Sequence, residues 1–183
     1  DSLMTVGQAS GVTNEAIDVF EMVTHIDPKC AEGFVKLGYA RLDAGLISEA
    51  KTAFEKAIDL DHRLSGAYNG LGRVYEHHPK GRYDAIRYFR RALQYDEHYV
   101  EARYNMARIR FELKEYDAKR DLDRVIEQDD RFAPAFLLLG SWYEELEEDY
   151  ANAAVAYARY LALRPNDAEG RRRLAATYVR TQD

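Results

Sequence analysis

Side chains suited to recognition recur along this chain at nearly constant intervals. Tyr39, Arg73 and Arg108 follow one another at spacings of 34 and 35 residues, and Asn69 precedes Tyr104 by 35 residues. Tyrosine and arginine dominate the hot spots of protein interfaces. An asparagine amide, which has two donors and an acceptor, can hydrogen-bond the backbone of an extended peptide. These residue types indicate binding chemistry.

Patterns that carry catalysis or hold cofactors do not occur in the sequence. It contains no phosphate-cradling GxxxxGK, no dinucleotide-binding GxGxxG, and none of the HExxH, CxxC or GxSxG motifs. His77 and His78 adjoin Pro79 in a predicted turn, where solvated histidines are the usual case. The acidic run at residues 144–149 lacks the glycine and the spacing of a calcium loop. We predict no catalytic residue, no metal site and no cofactor.

Composition and charge disfavour several classes of protein. The 183 residues include 26 basic and 32 acidic side chains, and the resulting net charge of -6 suits a general nucleic-acid binder poorly. The longest apolar stretch, Ala133–Gly140, is far shorter than the roughly 20 residues that cross a bilayer, so no membrane span is predicted. The single cysteine excludes an intramolecular disulfide.

The chain opens at Asp1 without a visible signal peptide, and we expect a piece of a longer protein. A cytoplasmic location is favoured, with a periplasmic or secreted form left open.

The elements that position these side chains are helices, because two patterns repeat in step. A Leu–Gly pair or its equivalent recurs at intervals of 34, 35, 33 and 35 residues, starting at Leu37, Leu71, Met106, Leu139 and Leu174. A second series keeps the same intervals and consists of Ala16, Ala50, Ala85, Ala118 and Ala153. Each alanine is followed four residues later by a bulky side chain, which is helical spacing. Each repeat therefore contains a first helix with the Leu–Gly pair and a second helix with the alanine.

These patterns resemble the tetratricopeptide repeat family, whose 34-residue repeat carries an aromatic residue before Leu-Gly-x-x-Tyr, then Ala-x-x-x-Phe, then Pro. Residues 65–99 match well, with Tyr68, Leu71, Gly72, Tyr75, Ala85, Phe89 and Ala92. The resemblance implies an all-α fold, a right-handed α-solenoid of stacked antiparallel helix pairs. It also implies a single array over residues 1–183. That array comprises a shortened first repeat (1–30, with Leu3 and Met4 in place of Leu–Gly), four full repeats (31–64, 65–99, 100–132 and 133–167) and a terminal or capping helix (168–183).

In this family the first helices line a concave groove, so the resemblance implies a protein or peptide partner bound there. We predict that the groove residues that bind it are Tyr39, Asn69, Arg73, Tyr104, Asn105, Arg108 and Phe111. For the aromatic residues among them, packing against the adjacent helix is an alternative interpretation. Arg73 and Arg108 hold equivalent positions on successive first helices, roughly 10 Å apart by helix-packing distances, so acidic groups on the partner could bridge them. Surface ion pairs with nearby glutamates are the other interpretation of these arginines.

Two other functions compete with this prediction. One is an RNA-binding helical repeat, although the acidic charge leads us to expect no nucleic acid. The other is a docking or regulatory arm of a larger enzyme. Arg171, Arg172 and Arg173 point in three directions from one helical turn, and we interpret them as a soluble end of the array.

Overall fold

The structure, a computed structural model, describes residues 2–78 and 80–181, with side chains for 14–78 and 80–181. Its helices in chain order are α1 (Ser2–Ile26), α2 (Ala31–Asp43), α3 (Ile47–Leu60), α4 (Ser65–Glu76), α5 (Arg82–Tyr95), α6 (Val100–Glu112), α7 (Asp117–Gln128), α8 (Ala133–Trp142), α9 (Tyr150–Leu163) and α10 (Ala168–Arg180). A π-helical turn, Tyr143–Glu147, follows α8. The predicted all-α fold is confirmed, because the described residues contain helices and turns and no strand.

The helices pack as consecutive pairs. α2 packs on α3, α4 on α5, α6 on α7 and α8 on α9, while α10 packs on α9. The chain forms two compact units, Asp1–Tyr99 with α1 to α5 and Val100–Asp183 with α6 to α10. Within each unit a second helix also packs on the next first helix, as α3 does on α4 and α7 on α8. The side chains of Leu3 and Met4, assigned above to the first repeat, lie outside the described residues, and so does Pro79.

Small residues let the helices of the first unit close around one aromatic ring. Phe54 of α3 is fully buried. A methyl group built on Gly38 of α2 would lie 2.6 Å from its ring, and one built on Gly70 of α4 would lie closer still. Glycine is needed at these two positions because the ring occupies the space of a Cβ atom. The same contact recurs in the pairs Gly72–Phe89 and Gly140–Tyr157.

At four joints between repeats, an aspartate directly follows the last residue of the helix that ends there. In each case its Oδ1 accepts a hydrogen bond from the backbone N–H two residues later, at 2.9 to 3.0 Å. This local bond offers the backbone an alternative to another helical turn. The four aspartates are Asp27, Asp61, Asp96 and Asp129.

One pair of positions between the two helices of a repeat is filled in two different ways. Between α4 and α5, Tyr75 and Tyr88 stack with their ring centres 5.0 Å apart. At the equivalent positions between α6 and α7, Arg110 forms an ion pair with Asp121. These two residues are 8% and 3% exposed, so the ion pair is buried. Residues 100–132 thus hold opposite charges where residues 65–99 hold an aromatic stack.

We expect Glu148→Gly to raise the free energy of unfolding by about 0.5 to 1 kcal/mol. Glu148 lies in the turn before α9 with φ 53°, a left-handed conformation that strains residues with a Cβ atom. Gly45 adopts φ 77° in the corresponding turn before α3, with open space around it. Urea denaturation followed by circular dichroism measures the change. Gly45→Ala is the matched control and should be destabilising, and a loss of stability in Glu148→Gly would show the prediction to be wrong.

Candidate functional site

In the first unit the structure brings three of the predicted residues together. The Tyr39 hydroxyl donates to the carbonyl oxygen of Gly66 at 2.8 Å and accepts from the Asn69 amide at 2.9 Å. Asn69 also donates to the Tyr99 hydroxyl at 3.3 Å. The Arg73 guanidinium lies 5.7 Å from the centre of the Tyr39 ring. Tyr39, Asn69 and Arg73 therefore form one cluster on α2 and α4.

Burial within this cluster decides which groups a partner can reach. Asn69 is 3% exposed, and the Tyr39 ring packs edge-on against Phe54 with their centres 5.0 Å apart. Burial raises the pKa of Tyr39, so its hydroxyl is a neutral hydrogen-bonding group at physiological pH. Arg73 pairs with Asp43 at 3.4 Å and keeps 34% of its side chain exposed. Packing explains the contacts that Tyr39 and Asn69 make, whereas Arg73 is accessible to a partner.

In the second unit three further predicted residues line one depression. Tyr104, Arg108 and Phe111 project into it from α6, and its volume is about 280 Å³. The rest of the lining consists of the apolar residues Pro134, Leu137 and Leu138 of α8 and the polar residues Glu112, Ser141, Glu145, Glu169 and Arg173. The predicted Asn105 is half-buried on α6 and is not part of this lining.

The charges at the rim of the depression are paired with one another. Arg108 lies 3.0 Å from the Glu112 carboxylate. Glu145 lies 2.7 Å from Lys114, which is also placed 5.0 Å from the centre of the Phe111 ring. Burial raises the pKa of Tyr104, so its hydroxyl adds no charge at neutral pH. The rim therefore offers polar contacts around an apolar floor, with no large excess of one charge.

Arg173 of α10 contributes to the depression in a way that the sequence analysis missed. Its Nη1 atom donates to the Ser141 hydroxyl at 2.9 Å and to the Tyr157 hydroxyl at 3.3 Å, and its Nε donates to Glu169 at 2.8 Å. Hydrogen bonds from Arg172 and Arg173 lower the pKa of Glu169 to about 2. Arg173 therefore connects α10 to α8 and α9. Arg173 immediately precedes Leu174, the last member of the Leu–Gly series, and this place in the first-helix pattern is the sequence signal that could have identified it.

The described part of the chain offers neither a metal site nor a membrane-spanning helix. Within the described side chains, no group of three or more histidine, cysteine, aspartate or glutamate residues is placed to hold a metal ion. Among the described helices, none combines the length and the apolar character that crossing a bilayer requires.

Comparison with family models identifies the repeats. Three models described as tetratricopeptide repeat match residues 31–62, 82–140 and 134–167. Among curated proteins, the probable UDP-N-acetylglucosamine–peptide N-acetylglucosaminyltransferase SPINDLY of Hordeum vulgare is 28% identical over 116 residues. The match covers 60% of this chain and 12% of that relative, so the chain spans only a small part of its length.

Solved structures share the same fold. TTC0263, a thermophilic tetratricopeptide repeat protein of Thermus thermophilus, matches with a TM-score of 0.76 and 20% identity over 97% of this chain and 96% of its own. YrrB, a tetratricopeptide repeat protein with an unusual peptide-binding site, matches with a TM-score of 0.65 and 22% identity over 91% of this chain and 85% of its own. Sequence identities this low show the fold alone. The structural matches confirm the predicted fold class, a solenoid of antiparallel helix pairs.

Proposed function

We propose that this chain, which belongs to the tetratricopeptide repeat family, is a protein–protein interaction scaffold. In this proposal the second unit holds a segment of a partner protein in the depression beside Tyr104, Arg108 and Phe111. The observation that carries this proposal is the coincidence of these three residues in one depression with an apolar floor. Tyr104 also packs edge-on against Phe132, with the ring centres 5.2 Å apart, so Arg108 and Phe111 are the members of the three that are more open to a partner. In the first unit the corresponding candidate contact is Arg73, whose guanidinium lies over the ring of Tyr39, which in turn is hydrogen-bonded to Asn69.

The chemistry of the depression favours an apolar anchor on the partner. Leu137, Leu138 and Phe111 offer apolar surface, and burying an apolar side chain against them is favourable by about 25 cal/mol per Å². An acidic group on the partner would have to displace Glu112 from Arg108, or Asp43 from Arg73, which exchanges one ion pair for another. We therefore propose that the apolar contacts supply most of the affinity, with acidic groups a secondary feature. Binding in the depression should accordingly depend weakly on salt.

We expect the double change Arg108→Ala with Phe111→Ala to weaken peptide binding about thirtyfold, because truncating a hot spot typically costs about 2 kcal/mol or more. Peptides selected from a random display library on the parent protein provide the ligands, and isothermal titration calorimetry provides the affinities. Both substituted residues are only half-buried, so helicity and thermal melting should change little.

The control for this experiment lies in the same unit. Tyr116 and Arg120 are an exposed aromatic residue and an exposed arginine one helical turn apart, and neither lines the depression. Tyr116→Ala with Arg120→Ala should leave the affinity of the selected peptides unchanged. If these peptides bind the Arg108→Ala, Phe111→Ala variant as well as the parent, the depression is not the binding surface.

A second candidate function follows from the curated match. Because the SPINDLY relative is named as a probable glycosyltransferase, the repeats of this chain could serve as a docking arm of a larger enzyme while performing no chemistry themselves. The complete open reading frame tests this candidate directly. A catalytic domain encoded beside these repeats would support it, and a reading frame with repeats alone would exclude it.

A further inference from the structure

The outward surface of α5 is unusually basic for a chain with net charge -6. The helix sequence RYDAIRYFRRALQY contains four arginines and one aspartate. Its apolar side, including Ala85 and Phe89, is buried. The opposite side forms what we call the α5 outer face, which consists of Tyr83, Arg87, Arg90, Arg91 and Gln94. All five residues are exposed, and Tyr83 is 66% exposed.

The fold does not require arginine at these positions. The other second helices, α3, α7 and α9, pack in the same way through their own alanine series. At the position equivalent to Arg90 they carry Glu55, Asp123 and Ala158, and at the position equivalent to Arg87 they carry Thr52, Arg120 and Val155. Because acidic, neutral and basic residues all satisfy the same packing, the charge of the α5 outer face calls for a reason other than folding.

Two of the arginines, Arg87 and Arg91, are oriented by neighbouring side chains that leave most of their charge available. Arg91 donates to the Gln94 side chain at 2.8 Å and to the Tyr95 hydroxyl at 2.7 Å. Its guanidinium lies 4.9 Å from the centre of the Tyr95 ring. These partners are uncharged, so they hold the guanidinium in place without neutralising it. Arg87 pairs with Asp84 at 3.2 Å, but 70% of its side chain remains exposed.

We propose that the α5 outer face binds an acidic segment of a partner protein, at a surface separate from the depression of the second unit. Charge complementarity supports this occupant, because guanidinium groups bind carboxylates with strong charge-assisted hydrogen bonds. The arginines lie on a helical stripe of about 17 Å from Tyr83 to Gln94, which matches a short segment. For Arg91, ordering by its neutral partners Gln94 and Tyr95 lowers the entropy that binding would otherwise cost.

The tyrosines around this face argue against single-stranded nucleic acid as the occupant. Such ligands are held by stacking bases on open aromatic rings. Tyr88 and Tyr95 are already stacked on Tyr75 and Tyr68, with ring centres 5.0 and 5.4 Å apart. Tyr83 is therefore the one exposed tyrosine of the described α5 helix that could take a base. A surface with several arginines and a single open ring suits carboxylates better than bases.

The test uses a fluorescein-labelled peptide of ten glutamates as the probe, with fluorescence anisotropy at low salt. The variant is Arg87→Thr with Arg90→Glu, which installs the residues that α3 carries at these positions. The control is Arg120→Thr with Arg124→Glu on α7, which changes the net charge by the same amount. Arg120 pairs with Asp117 at 3.1 Å as Arg87 does with Asp84, so the control also removes a comparable ion pair.

We expect the parent to bind the glutamate peptide and the α5 variant to bind it about tenfold more weakly or worse, whereas the α7 control keeps the parental affinity within about twofold. Raising the salt should weaken binding by the parent. Equal losses in the two variants would mean that only net charge matters, and that result overturns the proposal. So does a parent that fails to bind the glutamate peptide, or one that binds oligothymidylate of equal length more tightly. Peptides selected for the depression should bind the α5 variant normally, so the two proposed surfaces can fail separately.

Discussion

Replacing Phe54 by alanine should lower the free energy of unfolding of this protein by about 3 to 5 kcal/mol. The ring is fully buried, and it fills the space between Gly38 on α2 and Gly70 on α4. Its removal deletes apolar contacts with two helices at once and leaves a cavity that rigid backbone segments cannot close. Urea denaturation followed by circular dichroism measures the loss, and hydrogen exchange of the amides in residues 31–78 should show that the first unit is affected.

The matched variant for this prediction is Gly70→Ala, whose effect should change sign with the residue at position 54. In the parent, the added methyl group overlaps the Phe54 ring and should cost about 1 to 3 kcal/mol. In the Phe54→Ala background the space is empty, so the helix preference for alanine over glycine should make the same change stabilising by up to about 1 kcal/mol. A purely additive result in this double-mutant cycle would contradict the proposed contact.

The periodicity of the chain predicted the helices well, because intervals of 33 to 35 residues between equivalent alanines leave little freedom for another fold. In the structure the glycines of the Leu–Gly pairs, such as Gly38, are sites of close helix approach. The periodicity could not predict the role of Gly70, which lies on a different side of α4 from Gly72. The ring that Gly70 contacts belongs to the preceding repeat, and a pattern within one repeat does not reveal contacts to the next.

The repeat spacing assigned residues to the groove but did not reveal which of them are accessible. Tyr104, Arg108 and Phe111, which it assigned there, line one depression in the structure. The same reasoning grouped Tyr39 with Asn69, yet their hydrogen bonds run to each other and to Gly66 and Tyr99 rather than outward. Side chains from other repeats decide which residues on one side of a helix are covered. The periodicity of a single helix contains no information about those side chains.

The ion pair between Arg110 and Asp121 shows the same limit. Residues 100–132 depart most from the repeat pattern, with Arg103 in place of an aromatic residue and Met106–Ala107 in place of Leu–Gly. The sequence therefore indicated an unusual repeat. It did not indicate that two charged residues, 11 positions apart, would be buried together between α6 and α7.

Asp121→Ala should lower the free energy of unfolding by about 3 kcal/mol, because it leaves the buried Arg110 guanidinium without its principal partner. Glu115 lies 3.7 Å from Arg110 and is partly exposed, so it offsets a part of the cost. Trp142 is the only tryptophan of the chain and lies in the second unit, so its fluorescence during urea denaturation reports the change where it occurs. For comparison, Asp117→Ala removes the exposed pair with Arg120 and should cost at most about 1 kcal/mol.

The repeat formed by residues 133–167 supplies a replacement that tests the cause of this loss. Tyr143 and Ala156 occupy the positions equivalent to Arg110 and Asp121, and both take part in the apolar packing of the second unit. Arg110→Tyr combined with Asp121→Ala removes both charges and installs that pair, so it should recover most of the stability lost in Asp121→Ala, as replacing a buried ion pair by apolar residues often does. Burial raises the pKa of the Asp121 carboxyl, while the charges of Arg110 and Arg103 act to lower it. Asp121 therefore also interacts favourably with Arg103, and the loss of that interaction will keep the recovery of stability incomplete. If the double variant is as unstable as Asp121→Ala alone, the loss arises from the missing carboxylate itself and not from an unpaired guanidinium.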